Sequence, residues 1–321
     1  MNIIPSTFNE HQINCIILGG KYNDSPEALN ISVVLLNSKG SHLKLHVFEN
    51  LLKNNFHSII SIENDVENTS LEEISKKFPT IKFIVPLEEN KVSDGELINL
   101  AMNEVKTDFV LILRDTINIP AGFLSNNLAI SLLNDETYCL VPRLLNKEKV
   151  GVNMHFTPHA ERNHFIIDSS NIVKDGMSTI FPYDYIGIYN RKKFIQLGGF
   201  DYTIKSSYWQ NLDLAVRSWL WGEETKLTTM IQFSYIDELP CIDTTVNKDY
   251  LTYHLKNELP KIKNDEVFIS KLSYFDFLLN SSCGYIEARR RFFAAKEWVE
   301  KNKFKFKKDL QMLIQDWVVQ K

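Results

Sequence analysis

Cysteine, proline and glycine are scarce in this chain of 321 residues, which holds 4, 10 and 12 of them. The four thiols, Cys15, Cys139, Cys241 and Cys283, stand far apart with no CxxC pair. That excludes a disulfide framework and a structural zinc site, and points to thiols kept reduced in a cytoplasm. The low glycine and proline content excludes collagen-like and low-complexity chains, and 12% aromatic residues exclude wholesale disorder. No apolar run approaches the roughly 20 residues that span a bilayer. The stretch MNIIPSTFNEHQINC has neither a basic n-region nor an apolar h-region, which predicts no signal peptide. GxGxxG, GxxxxGKS/T and GxSxG are all missing, so dinucleotide, P-loop and nucleophile-elbow readings lack their residues.

What is present is ordinary in bulk and uneven in place. Hydrophobic residues make up 44% and charged residues 24%, with 36 Lys+Arg against 40 Asp+Glu for a net charge of −4. From Ile286 to Lys321 the net charge is +5, so the remainder carries −9. An acidic body argues against a general nucleic-acid binder. The basic tail leaves open a face that meets a membrane or an acidic partner.

Along the chain, strand-like and helix-like segments alternate. Residues 1–30 read as a lead-in arm. ISVVLL (31–36), SIISI (58–62), IKFIV (81–85) and FVLIL (109–113) are apolar, β-rich runs of the kind buried on both faces. Between them lie helical spacings over 42–54, 70–78 and 93–105, the second opening on a Ser70–Glu73 capping box. This order predicts βαβ crossovers and a mainly parallel sheet flanked by helices. Such sheets bind ligands beyond the carboxyl ends of their strands, which directs attention to Asn37, Glu63, 86–90 and 114–118. Residues 150–184 read as loops with short strands. From about Leu251 the pattern is helical, ending in one or two amphipathic basic helices, so that 31–245 reads as one α/β domain and 246–321 as a helical C-terminal extension.

Several residues have side chains suited to chemistry. Asp115 follows the most apolar strand; it either holds a divalent ion through one oxygen or caps the next turn. Gly198-Gly199-Phe200-Asp201 permits a left-handed turn, and Asp213 and Arg217 stand four apart on a helix, as an ion pair would. His155, His159 and His164 are read as loop histidines, because Pro158 breaks the helix that a metal-binding HxxxH needs. His254 is a candidate phosphate contact, and Arg143 a phosphate or acceptor contact or a surface cation. Tyr208, Trp209, Trp219 and Trp221 form either a platform for a sugar ring or core.

The segments ISVV, IISIEN, FPTIKFIV, TDFVLILRDT, YDYIGIYNRKKFIQLGGFD and NLDLAVR, in that order, resemble a family 2 glycosyltransferase of GT-A fold over about 31–222. The resemblance implies a metal-dependent, inverting transfer from a nucleotide-diphospho-sugar to an acceptor hydroxyl. It implies Mn²⁺ or Mg²⁺ on Asp115, nucleotide contacts from Asn37, Glu63 and Arg114, and an acceptor side shaped by Gly199, Trp209 and the segment through Asp213. The acceptor, a glycan, a lipid-linked sugar or a protein, is left open. The location implied is cytoplasmic, with peripheral contact at the inner face of a membrane through the basic helices.

The chain also departs from the pattern. Leu113 stands at the first position of the DxD-like motif, and Tyr202 follows GGFD where the family has an acid. Gln210-Asn211 replaces the Glu-Asp whose Asp is the general base, and an amide cannot accept the proton. Asp213 is about 200° further round the helix. The remaining candidate bases are Asp201, Asp184 and Glu223. The alternative is a catalytically silent GT-A domain that binds nucleotide sugar or a partner protein.

Overall fold

The computed structural model describes residues 4, 8–20, 28–38, 45–63, 71–87, 92–134, 137–161, 164–264, 266–281 and 283–319. The expected Ser70 cap and residues 88–90 lie outside them. The first half holds β1 (Cys15–Gly19), β2 (Leu29–Leu36), α1 (Leu45–Leu52), β3 (Phe56–Ile62), α2 (Leu71–Lys77), β4 (Ile81–Pro86), α3 (Asp94–Glu104), β5 (Phe109–Arg114), β6 (Ile117–Asn118), α4 (Asn126–Leu133) and β7 (Cys139–Leu145). There follow β8 (His155–Glu161), β9 (His164–Ser170), β10 (Gly187–Asn190), α5 (Arg191–Gln196), α6 (Ser207–Leu220), β11 (Thr225–Tyr235) and α7 (Lys248–Tyr253), the last continuing as a π-helical turn over His254–Glu258. The C-terminal part is β12 (Lys261–Lys263), β13 (Glu266–Phe268), α8 (Leu272–Asn280), α9 (Tyr285–Asn302) and α10 (Leu310–Val319).

Among the described residues nine strands form one sheet in the order β1-β4-β3-β2-β5-β10-β7-β11-β6. Its centre is parallel, as the alternating pattern predicts: β2 pairs with β3 and β5, and β3 with β4. The side chains of β2 from Ile31 to Leu36 and of β5 from Val110 to Leu113 are buried on both faces. The chain runs outward from β2 through β3 to β4, then returns to the other side of β2 as β5. That reversal opens a crevice beyond the carboxyl ends of β2 and β5.

Two segments differ from the sequence expectation. Cys15–Gly19, inside the expected arm, is an edge strand antiparallel to β4; with Ile16 and Ile17 half-exposed on it, it lacks the signature of a buried strand. The weakly periodic middle holds its expected short strands as a β8–β9 hairpin, but the three histidines read as loop residues lie on these strands, His155 opposite Ser170 and His159 opposite Ile166. His159 faces Asp168 at 3.1 Å, and among the described residues no three His, Cys, Asp or Glu side chains group as a metal site. No helix among them is long and apolar enough to cross a membrane.

Candidate functional site

Three backbone hydrogen bonds extend the parallel ladders one residue past their strands: Asn37 N to Ile62 O, Glu63 N to Ile84 O and Asp115 N to Leu36 O. They fix three polar side chains side by side at the carboxyl edge. Asn37 Nδ2 donates to Glu63 Oε1 at 3.0 Å and to Ser61 Oγ at 2.9 Å, and Ser61 Oγ donates to Glu63 Oε1 at 2.6 Å. Burial pushes the Glu63 carboxyl up to about 7; the Ser61 bond opposes this and the Asp115 charge adds to it. Asp115 Oδ1 accepts from Ser38 N at 3.1 Å and Ser38 Oγ at 2.8 Å.

Next to these residues lies a cleft of about 600 Å³, lined among others by Ser38, Arg114, Thr116, Asp184 and Asn211; Asn37, Glu63 and Asp115 are buried beside it and are not part of its lining. Arg114 is the more buried of its two lining cations, the other being Lys205. Its Nη2 lies 2.6 Å from Asp94 Oδ2 and 3.0 Å from Asp184 Oδ1, and the guanidinium sits 5.5 Å from the Tyr185 ring centroid. Burial alone would lower its pKa, but the two carboxylates outweigh that and raise it. Asp184 and Tyr185 have φ of 52° and 63°, a left-handed conformation costly for side chains of their size. Four contacts hold them there: Arg114 on Asp184, Tyr235 OH on Asp184 Oδ2 at 3.2 Å, Tyr185 OH on Ser207 O at 2.8 Å and Tyr189 OH on Tyr185 O at 2.9 Å. Burial raises the Asp184 pKa, with Arg114 opposing.

The two amides of α6 have visible work. Asn211, at the cleft, donates from Nδ2 to Pro182 O at 2.8 Å. Gln210, fully buried, accepts from Gly95 N at 2.9 Å and donates to Ser93 Oγ, Asp201 O and Ile204 O. It ties α6 to the first turn of α3. A carboxylate could not donate at either place.

Asp201 and Asp213 do not line the cleft. They meet in a buried cluster behind α6, where Lys256 Nζ donates to Asp201 Oδ2 at 2.9 Å and to Asp213 Oδ2 at 3.0 Å. Arg217 Nη1 lies 3.1 Å from Asp213 Oδ2, and Asn257 Nδ2 donates to Asp213 Oδ1 at 2.8 Å. Burial would raise the Asp213 pKa, yet Lys256 and Arg217 hold it below the usual carboxylate range. Gly199, at φ 66°, belongs to the same scaffold: its carbonyl accepts from Arg217, and an added Cβ would come within 2.6 Å of Asn99 Oδ1.

The other candidates lie outside the cleft lining. Trp209 is core, its Nε1 donating to Thr245 O at 2.9 Å. Trp219 packs on Trp317 and Trp221 on Trp298, so of the expected aromatic platform only Tyr208 reaches the cleft. His254 pairs with Glu258, Arg143 sits half-buried on β7, and Glu223 pairs with Lys193. Sequence reasoning missed Ser38, Asp94 and Lys256. Ser38 and Asp94 had a signal, Ser38 following the edge candidate Asn37 and Asp94 lying at the start of the helical spacing over 93–105; Lys256 had none, since its partners are 43 and 55 residues away.

No family model matches the sequence, and no curated protein matches it. Solved structures do resemble it in shape. Over 92% of this chain and 57% of the other, at 12% identity and a TM-score of 0.62, it superposes on GalNAc-T7, a structure described with UDP, GalNAc and Mn²⁺. The fold is GT-A. Also similar are TarS of S. aureus (TM-score 0.47, 14% identity, 90% of this chain and 78% of that one) and the Pyrobaculum calidifontis mannosyltransferase PcManGT, described with GDP-Man and Mn²⁺ (0.45, 8%, 92% and 79%). The chain thus spans a little over half of GalNAc-T7. Within this GT-A frame the residues fit a divalent ion of one kind. Leu113 is buried in the core, which leaves Asp115 as the carboxylate at this strand end. Hard cations such as Mg²⁺ commonly take one or two protein carboxylates and leave the other positions to phosphate and water.

Proposed function

We propose that the protein is a glycosyltransferase that moves a sugar from a nucleotide-diphospho-sugar to an acceptor hydroxyl. The observation that carries this reading is the roughly 600 Å³ cleft at the strand-order reversal of a GT-A fold, where the lining residue Ser38 is hydrogen-bonded to the buried Asp115. Asn37 and Glu63 would meet the nucleoside. Mn²⁺ or Mg²⁺ on Asp115, with Ser38 beside it, would neutralise charge developing on the departing diphosphate. The acceptor oxygen would attack the anomeric carbon opposite that diphosphate, inverting the centre; its bond to carbon forms as the bond to the leaving diphosphate breaks. Asp184 is the carboxylate best suited to take the acceptor's proton. It lines the cleft, and burial makes it a stronger base than an ordinary aspartate. Arg114 and the left-handed backbone would hold it in position.

A panel of UDP-, GDP- and dTDP-sugars in a thermal-shift assay, with and without Mn²⁺, tests the donor half. A ligand at a hundred times its Kd adds roughly 2.7 kcal/mol. A metal-dependent rise with one nucleotide, lost in Asp115→Ala, is expected; no rise with any of them overturns the reading. Asp184→Asn should then lower kcat by about a hundredfold or more with little change in KM for the donor. The second reading is a silent domain that binds nucleotide sugar without turnover. It is favoured by Asn211, whose amide stands at the cleft where the resemblance puts the base. Donor binding without transfer to any acceptor or to water would support it.

A further inference from the structure

The outward face of the α8–α9 hairpin is apolar, and among the described residues three of the cations around it, Lys271, Arg289 and Lys296, pair with no carboxylate, while Arg290 pairs with Glu287. On α8, Leu272, Phe275 and Leu279 recur at steps of three and four and are 75%, 62% and 84% exposed. On α9, Ile286 and Phe293 share one side with Arg289 and Arg290, opposite the buried stripe of Ala288, Phe292, Ala295 and Val299. The two faces adjoin at Tyr274, whose ring lies 5.5 Å from that of Phe275 and 5.7 Å from that of Phe293. Such a row of leucine, isoleucine and phenylalanine costs free energy while it faces water.

The charges indicate what covers it. Among the described residues Lys271, Arg289 and Lys296 pair with no carboxylate; Arg289 lies over the Phe293 ring at 5.7 Å instead. The segment from Ile286 onward carries +5 on a body that carries −9. A second copy docked face to face by two-fold symmetry would set these cations against themselves. An anionic lipid surface satisfies both halves of the pattern. Its acyl boundary accepts the apolar side chains and its phosphates meet the lysines and arginines. We infer that the α8–α9 hairpin docks the protein peripherally on an anionic bilayer, lying in the interface without crossing it. This inference is independent of the transferase reading.

Co-sedimentation of the full chain with vesicles tests it, using phosphatidylcholine alone and phosphatidylcholine mixed with phosphatidylglycerol. Wild type should pellet with the anionic vesicles and not with the neutral ones, and less so as salt is raised. Leu279→Ser/Ile286→Ser and Arg289→Glu/Lys296→Glu change exposed side chains, so both should keep the wild-type melting temperature. Each should cut vesicle binding by roughly tenfold or more. Three results overturn the inference. They are no pelleting with anionic vesicles, a serine variant that binds like wild type, and a wild-type dimer in light scattering that the serine variant converts to monomer.

Discussion

At the scale of single residues, Glu63 makes the site sensitive to pH. Its carboxyl titrates near 4.5 in an unfolded chain and near 7 in the fold, mainly because it is buried. The folded state therefore favours the protonated form. The stability this contributes is fully present below pH about 4.5 and is lost as pH rises through about 7. Glu63→Gln removes the titration, so urea denaturation should show the variant gaining on wild type between pH 5 and pH 8, by up to about 3 kcal/mol. A constant difference across that range would refute it. The sequence exposed part of this chemistry. A polar residue just after a buried parallel strand is conspicuous, and Asn37, Glu63 and Asp115 do end adjacent strands. The use of amides was hidden: Gln210 and Asn211 look like lost carboxylates until their donors are seen on backbone carbonyls. Asp201 and Asp213 were hidden too, because only the fold brings Lys256 to them.

Among elements, the central strands were legible and the edges were not, for one reason. β2 and β5 bury both faces and so must be continuously apolar. β1 pairs on one side only, with its outer residues in water, and needs no such run. The β8–β9 hairpin pairs polar side chains across its strands, His155 with Ser170 and His159 with Asp168, so it carries no long apolar run either. Another element without pattern borders the cleft. Residues 236–246 run exposed between β11 and α7, pinned by Tyr183 OH on Pro240 O at 3.1 Å and by Trp209 on Thr245 O. This strap places Cys241 on the cleft wall as an exposed thiol, while Cys139 is buried and Cys15 and Cys283 are partly covered. Brief maleimide treatment should modify Cys241 first, and a bound donor should slow it several-fold, as read by peptide mass mapping. Equal rates with and without a donor that raises the melting temperature would place the ligand elsewhere.

Across the whole molecule, the C-terminal helices are part of the core rather than an appendage. Trp317 of α10 packs edge-on to Trp219 of α6 at 4.8 Å, Trp298 of α9 stacks with Trp221, and Phe306 joins them. Trp317→Ala should cost about 3–5 kcal/mol in chemical denaturation; a loss under about 1 kcal/mol would mean that α10 is only loosely attached. The basic, amphipathic character of these helices was legible in the sequence, but their docking site was not, since heptad-like spacing names a buried face without naming its partner. The Lys256 cluster has a further consequence, for the order in which the chain is made. Asp201 and Asp213 emerge from the ribosome 55 and 43 residues before the lysine that neutralises them, and the tryptophans of α6 emerge before those of α9 and α10. When every strand of the large sheet has been made, Lys256 is still to come, and among the described residues made by then Arg217 is the cation paired with Asp213. The charge balance of this cluster is therefore complete only when synthesis has passed the turn over His254–Glu258.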